Sequence, residues 1–240
     1  MVHILAPTRT PDGTVPALKR AGVTVTEVPF TEQVRLPLSE LTEALAESWD
    51  WLVVTSVQTA AILREVPLPS AKVAAVGPAT AAALAQAGLS VDLVADPGGG
   101  AALVAAFPPG PGRVLLPGAD EPSPQPARGL AELGWTVRHV PVYRTVAVEL
   151  PEPVVAAWRA GQYDAFVVTA GSVARAGVDA AGLLGPPVVA IGEPSARAAR
   201  ELGLVVAGQA ERPNGPSLAA AVLEALRVPR HYAGDETEES

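Results

Sequence analysis

DWLVVTS, at Asp50–Ser56, and DAFVVTA, at Asp164–Ala170, are two copies of one segment, and they lie 114 residues apart. Each copy has an acidic residue, four apolar residues and a threonine, a pattern that is typical of a buried strand. A second pair follows at nearly the same spacing, because AVGPATAAALAQAGL from Ala75 matches AIGEPSARAARELGL from Ala190. The sequence therefore contains an internal duplication.

A third match extends the duplication to a strand–helix–strand block. VPALKRAGVTVTEVPF ends at Phe30 and parallels PARGLAELGWTVRHVPV, which ends at Val142. Short β-branched runs alternate with alanine-rich helical stretches along the chain, which indicates βαβ units and a parallel sheet. We therefore predict an α/β fold of two parallel-sheet, flavodoxin-like domains that arose from an internal duplication.

The order of the repeated blocks predicts how the chain is divided between the domains. Residues 36–142 contain both blocks in unbroken sequence, so they form one continuous α/β domain. The other domain is then discontinuous and combines residues 1–30 with residues 151–228. The segments that join the domains are expected to pair as a two-stranded β connector; they are residues 31–35 and 143–150. A tandem split near residue 120 is the alternative topology.

The composition excludes several kinds of site. There is no Cys, and His3, His139 and His231 are far apart in sequence, so no metal site is expected. The net charge is −8 and there is no basic stripe, which argues against a nucleic-acid partner. No apolar run approaches the roughly 18 residues of a spanning helix. The N-terminus also lacks the features of a signal peptide. We expect a cytoplasmic protein with no membrane partner and a disordered tail at 229–240.

Glycine and hydroxyl-bearing residues cluster where the predicted strands end. Ligands of parallel α/β sheets bind beyond the carboxyl ends of the strands, and the backbone N–H groups of the following helix attract anions. Ser and Thr are also ordinary helix N-caps, so each residue alone has a purely structural interpretation. Their recurrence in both repeats favours an anion-binding cleft between the domains. The turns contain Thr8 and Arg9, Ser56, Gly77 and Thr80, Gly171 and Ser172, and Gly192 and Ser195.

Tyr143 is the one aromatic hydroxyl at a predicted crossing between the domains. A tyrosine there can face a cleft and donate or accept a proton. The alternative is a half-buried strand residue with no chemical role. No pair of carboxylates stands out at a strand end, since Asp120 and Glu121 lie in a proline-rich loop and are expected to be solvated.

Six segments, taken in order, resemble the uroporphyrinogen-III synthase family. They are DWLVVTSVQTA, AVGPATAAALAQAGLSVDLV, RVLLPG, LGWTVRHVPVYRTV, DAFVVTAGSV and AIGEPSARAARELGL. The resemblance extends from about Val2 to Leu226 and implies two α/β domains, one discontinuous, with the active cleft between them. It also implies a lyase that needs no metal or organic cofactor. Such enzymes take hydroxymethylbilane, invert the last pyrrole ring through a spiro intermediate, close the macrocycle to uroporphyrinogen III and release water.

The resemblance assigns roles to individual residues. Tyr143 matches the family's tyrosine that assists departure of the terminal hydroxyl, so it is the implied catalytic residue. Thr8 and Arg9 match the end of the first strand. The residues that match positions lining the cleft are Ser56, Gln58, Thr59, Thr80, Ser172 and Ser195. The substrate is a linear tetrapyrrole with eight carboxylates, which suits a cleft lined by helix N-termini.

The sequence also departs from the family's pattern. Glu193-Pro194-Ser195 stands where a threonine is usual, and an acidic Glu193 is unfavourable beside a polyanion unless it points away. The loop PGADEPSPQP after Leu116 is a second departure. The alternative function is a non-catalytic regulator that binds a tetrapyrrole or another anion on the same fold. Regulators of this type append a DNA-binding segment, for which residues 227–240 are too short and too acidic. For the enzyme we expect a monomer that makes transient contact with hydroxymethylbilane synthase.

Overall fold

The computed structural model describes residues 1–227; residue 228 and the predicted tail, 229–240, lie outside the described residues. The chain divides into two units. Unit 1 contains residues 1–32 and the described residues from Val146 onward, and unit 2 contains Gln33–Thr145.

Strands and helices alternate along the chain. The strands are β1 (His3–Pro7), β2 (Thr24–Val28), β3 (Thr31–Arg35), β4 (Trp51–Val54), β5 (Lys72–Ala75), β6 (Leu93–Val94), β7 (Gly112–Ala119), β8 (Trp135–Ala147), β9 (Ala165–Val168), β10 (Val188–Ala190) and β11 (Val206–Gln209). The helices are α1 (Thr14–Arg20), α2 (Ser39–Leu45), α3 (Val57–Leu63), α4 (Pro78–Gln86), α5 (Gly100–Ala106), α6 (Pro124–Glu132), α7 (Glu152–Arg159), α8 (Gly171–Ala181), α9 (Glu193–Glu201) and α10 (Gly215–Ala225).

The strand orders of the two sheets correspond. The five-stranded sheet has the order β2-β1-β9-β10-β11, and the six-stranded sheet has β8-β7-β4-β5-β6 with β3 at the edge beside β8. Neighbouring strands within each set of five are parallel. The predicted α/β class with parallel sheets is therefore confirmed. The strands of the two sheets correspond through the sequence repeat: β7, β8, β4, β5 and β6 are the counterparts of β1, β2, β9, β10 and β11. Both sheets therefore have the same spatial arrangement of strands, although the strands follow one another in a different order along the chain.

The segments β3 and the end of β8 run antiparallel to each other. The Leu36 N–H donates to the Val142 carbonyl at 3.1 Å, and the Val148 N–H donates to the Phe30 carbonyl at 3.0 Å. The residue numbers fall along one strand as they rise along the other, which is the antiparallel pattern. Tyr143 therefore lies one residue beyond Val142, at the point where β8 leaves its parallel neighbour β7 and pairs with β3.

The central strands of the two sheets, such as β4 and β9, are buried on both faces. In β4, Leu52 and Val54 pack in one apolar cluster and Trp51 and Val53 pack in the opposite one, and none is more than 7% exposed. Strands of parallel sheets read as continuous apolar runs because helices cover both faces. The polar residues are thus displaced to the strand ends, where the candidate site residues lie.

Two helices that directly follow strand ends, α3 and α8, have weak helix signals in their own sequences. The α8 sequence GSVARAGVDAA has low helix propensity at its glycines, and α3 contains β-branched Val57, Thr59 and Ile62. Tertiary packing explains Gly177 of α8, since a Cβ there would lie 3.1 Å from a Trp158 ring atom and 3.2 Å from Phe166. The glycine lets α8 lie close against both aromatic rings.

Candidate active site

A cleft of about 670 Å³ opens at the carboxyl ends of β9, β10 and β11 in unit 1. Three predicted site residues line it: Gly171, Gly192 and Ser195. Their strands are parallel neighbours, so the turns that follow the strands meet at one edge of the sheet. The turns that follow these strands therefore line one concavity of unit 1.

The turn that starts α9 brings an acidic side chain into this cleft. Glu193 is the first residue of α9, and its carboxylate lies 3.5 Å from the Arg200 guanidinium. With its amide nitrogen turned toward Glu193, Gln209 donates to a carboxylate oxygen at 2.9 Å and accepts the Glu193 N–H at 3.3 Å. Glu193 thus lines the cleft, and Arg200 and Gln209 hold its carboxylate. Glu211 also lines it, so both charged lining residues are acidic.

The matching turns of the two units have the same backbone conformation. Gly77, before α4, has φ 171° and ψ 174°, and Gly192, before α9, has φ 177° and ψ 175°. Thr80 and Ser195 stand at the third position of these helices, where they are 4% and 5% exposed. Such burial leaves these hydroxyls almost no surface for a ligand. The turns can instead offer backbone N–H groups of the first helical turn, which have no partner within the helix. Pro78 and Pro194 have no N–H, and the Glu193 N–H donates to Gln209, so only part of each first turn is available.

In unit 2, three hydroxyl groups come together beyond the end of β4. Ser56 is the N-cap of α3, and its Oγ accepts the Thr59 N–H at 3.0 Å. The same Oγ lies 2.8 Å from Thr59 Oγ1 and accepts the Tyr143 hydroxyl at 3.3 Å. Thr59 is fully buried, and Tyr143 is 7% exposed with its ring in the core of unit 2. The phenol oxygen is therefore held at the start of a helix by a residue far away in sequence.

A comparison with protein-family models identifies the family of the chain. Residues 12–220 match the family model described as "Uroporphyrinogen-III synthase HemD". The chain belongs to the uroporphyrinogen-III synthase family. No match was found among curated proteins.

Solved structures of uroporphyrinogen-III synthases share the fold. A crystal structure of a mutant uroporphyrinogen III synthase from Thermus thermophilus has 23% identity and a TM-score of 0.65, and the match covers 95% of this chain and 99% of that one. The structure of uroporphyrinogen-III synthetase from Helicobacter pylori has 16% identity and a TM-score of 0.62, with coverage of 93% and 99%. At these identities the likeness establishes the fold alone.

The remaining residues that the uroporphyrinogen-III synthase resemblance implicates are more exposed. Gln58 is half-buried and Ser172 is exposed, and both occupy the second position of their helices, α3 and α8. Thr8 and Arg9 are exposed directly after β1, but α1 begins only at Thr14. These two residues therefore lie at the end of the first strand, as expected, and a loop separates them from α1.

Gln209 and Glu211 line the unit 1 cleft although the sequence interpretation did not identify them. β11 ends at Gln209 and is followed by the buried Ala210, so Gln209 lies at the carboxyl end of the strand. The sequence VAGQ has no alternation of apolar and polar residues that would have located this strand end.

The described part of the chain offers neither a metal site nor a membrane span. Within residues 1–227, no group of three or more His, Asp or Glu side chains is arranged to hold a metal ion. Over the same residues, every helix is too short or too polar to cross a bilayer.

Proposed function

We propose that this chain converts hydroxymethylbilane to uroporphyrinogen III, with inversion of the last pyrrole ring, loss of water and no cofactor. The observation that carries the proposal is the family match over residues 12–220. The strand-end turns and the hydroxyl group of Tyr143 supply a physical basis for binding and for chemistry.

Helix N-termini are proposed to bind the carboxylates of the substrate. In unit 1, α8 and α9 each begin directly after a buried strand, and the N–H groups of their first turns carry a partial positive charge. In α9, Pro194 has no N–H and the Glu193 N–H already donates to Gln209, so these two residues do not contribute. Because Thr80 and Ser195 are buried, the main chain rather than these hydroxyls makes the contacts. Several such turns fix a flexible polyacid in one conformation, which favours the inverted closure over the simpler uninverted one.

Tyr143 is proposed to be the proton donor to the departing hydroxyl. Its hydroxyl bond to Ser56 is 3.3 Å long, compared with about 2.7–2.8 Å for a typical O–H···O bond. A long, weak bond leaves the phenol proton available to a substrate oxygen. Loss of water then leaves a cation that is stabilised by conjugation with the pyrrole ring.

We further infer a monomeric, cytoplasmic enzyme that receives its substrate through transient contact with hydroxymethylbilane synthase. The reason is chemical, since free hydroxymethylbilane closes spontaneously to the uninverted type I isomer. A short path between the two enzymes limits that side reaction.

The test couples the purified chain to a source of hydroxymethylbilane and separates the oxidised products by chromatography. We expect type III product at a rate proportional to the amount of this chain. Type I product alone, at the rate of the reaction without the chain, rejects the proposed function and leaves a binding role. Dialysis against a chelator before the assay is expected to leave the type III rate unchanged.

A further inference from the structure

The two copies of the strand-to-helix turn share a backbone but differ in side chains. Ser56 before α3 has φ −151° and ψ 149°, and its counterpart Ala170 before α8 has φ −157° and ψ 157°. Ser56 caps its helix with a hydroxyl, whereas no side chain caps α8. The same turn therefore forms with or without the hydroxyl, so the turn itself does not require Ser56.

The Thr59 hydroxyl and the phenol of Tyr143 are also specific to one copy. Thr59 corresponds to Val173 by the same 114-residue spacing, and Tyr143 corresponds to Thr31 by the spacing that relates Val142 to Phe30. Val173 is buried in an apolar cluster, as Thr59 is buried in unit 2. Burying a hydroxyl is costly unless it is hydrogen-bonded, and valine fills the same space without that cost. The duplicated fold therefore works with apolar residues at both helix positions.

We infer that Ser56 is a positioning residue for Tyr143 and not a substrate ligand, an assignment that rests on the proposed function. Its Oγ is fixed by the Thr59 N–H at 3.0 Å and stands 3.3 Å from the phenol oxygen. Thr59 Oγ1, at 2.8 Å, exchanges donor and acceptor roles with it. Ser56 thus accepts the phenol proton at rest and donates its own hydrogen to the phenolate after transfer.

The proton transfers of the reaction depend on this change of Ser56 from hydrogen-bond acceptor to donor. The Tyr143 O–H bond breaks, its proton joins the terminal hydroxyl oxygen, and the C–O bond breaks with its electron pair leaving as water. The resulting cation bonds the substituted carbon of the last pyrrole ring, which has no proton to lose, and this gives the spiro intermediate. The bond from that carbon to its original methylene bridge then breaks, and the cation formed on that bridge bonds the unsubstituted carbon on the other side of the last ring. This second carbon loses its proton to the phenolate, which restores Tyr143 and leaves no net change in protons. Ser56 stabilises the phenolate during the interval.

A double-mutant cycle on turnover tests the inference. The variants are Ser56→Ala, Tyr143→Phe and the double variant, and Ala170 shows that the turn accepts alanine. We expect Ser56→Ala to lower kcat about tenfold, the value of one hydrogen bond to a charged oxygen, with KM within about twofold. In the Tyr143→Phe background the same change should have no further effect. Ser56→Thr, which keeps the hydroxyl, should restore kcat.

Asn214→Ala is the matched control for loss of a helix cap. Asn214 caps α10 by accepting the Ser217 N–H at 3.0 Å, so its removal costs similar stability without touching Tyr143. We expect unchanged kcat. A comparable fall in kcat would assign the Ser56 effect to a lost cap and overturn the inference.

The outcomes separate this inference from the function on which it rests. The unmodified chain can form type III product while the losses of kcat in the two single variants prove independent. That outcome rejects the positioning role of Ser56 and leaves the proposed function standing. A higher KM with unchanged kcat in Ser56→Ala makes Ser56 a substrate ligand and also rejects it. An unmodified chain that yields only type I product rejects the proposed function, and the positioning role with it.

Discussion

Replacing Tyr143 with Phe separates the chemical role of this residue from its structural role. The ring lies in the core of unit 2 and is 7% exposed, and Phe keeps all of its apolar contacts. The change removes one hydroxyl and one 3.3 Å bond to Ser56. Ser56 Oγ keeps the Thr59 N–H and the Thr59 hydroxyl, so no buried polar group loses its last partner.

The expected loss of stability is small for that reason. A weak neutral hydrogen bond that leaves its partner satisfied contributes about 0.5 kcal/mol. For a chain of this size, that corresponds to a fall in Tm of about 1–2 °C. Turnover should fall far more, because a positioned general acid contributes about 10²–10⁴-fold, or roughly 3–5 kcal/mol of activation free energy. KM should stay within about twofold, since the hydroxyl acts on the leaving group and not on a carboxylate.

The assay measures initial rates of type III formation over a range of hydroxymethylbilane concentrations, with Tm measured on the same preparations. Tyr163→Phe is the matched control, because Tyr163 is a second buried tyrosine, 3% exposed, in unit 1. Its kcat should equal that of the unmodified chain. A Tyr143→Phe enzyme whose kcat stays within threefold of the unmodified value removes Tyr143 from the mechanism. A large loss of Tm would show that the activity change has a structural cause.

Three further predictions concern charge, pH and packing. Glu193→Thr should lower KM roughly fivefold at low salt, because a carboxylate that lines the cleft repels the polyacid, and the gain should fade near 1 M salt. Glu201→Gln on the same helix is its control, and an equal effect there would assign the change to net charge. Burial raises the pKa of Tyr163 above its ordinary value of 10.0, so stability should be complete below about pH 10 and fall above it as the unfolded chain loses its proton first. Urea unfolding from about pH 8 to 11 should show this fall in the unmodified chain and less of it in Tyr163→Phe. Gly129→Ala should destabilise by about 1–3 kcal/mol, since its Cβ would lie 2.6 Å from Val104 Cγ2, and this exceeds the helix-propensity gain of about 1 kcal/mol. Adding Val104→Ala should recover part of the loss, and a more stable single variant would contradict the argument.

The fold class can be predicted from the sequence because the apolar strands, the helices between them and the duplication all indicate an α/β fold. Continuous apolar strands such as Trp51–Val54 and Ala165–Val168, each flanked by a helical stretch, leave a parallel sheet as the consistent solution. The duplication strengthens this interpretation, since both copies show the same alternation. Helix α8 depends on packing more than on helix propensity, as Gly177 beneath two aromatic rings illustrates.

The sequence identifies the turns of the candidate site, but it does not show whether their side chains are buried or exposed. Thr80 and Ser195 are conspicuous in sequence, yet both are buried at the third position of their helices. A repeat of hydroxyl residues looks the same whether the hydroxyls face a ligand or the protein. The direction of a side chain depends on where the helix sits over its sheet, which is a property of packing and not of the local sequence.

The contact between Tyr143 and Ser56 lay beyond sequence reasoning because it depends on strand order. Ser56 follows β4 and Tyr143 lies on β8, 87 residues later, and the two meet because β8, β7 and β4 are successive strands of one sheet. Sequence patterns place residues on strands but do not order the strands within a sheet.

A duplicated chain carries one further source of information, which is the difference between its copies. Features that both copies share, such as Gly77 and Gly192, meet the demands of the common fold, because the same turn must form twice. A chemical step takes place once, so the residues that perform it need exist in one copy only. Ser56 has alanine as its counterpart, and Tyr143 has Thr31. In this chain the shared turns therefore suit a repeated main-chain binding element, while the Ser56 hydroxyl and the Tyr143 phenol, which occur in one copy only, suit the single proton transfer. The variants of Ser56 and Tyr143 test that division directly.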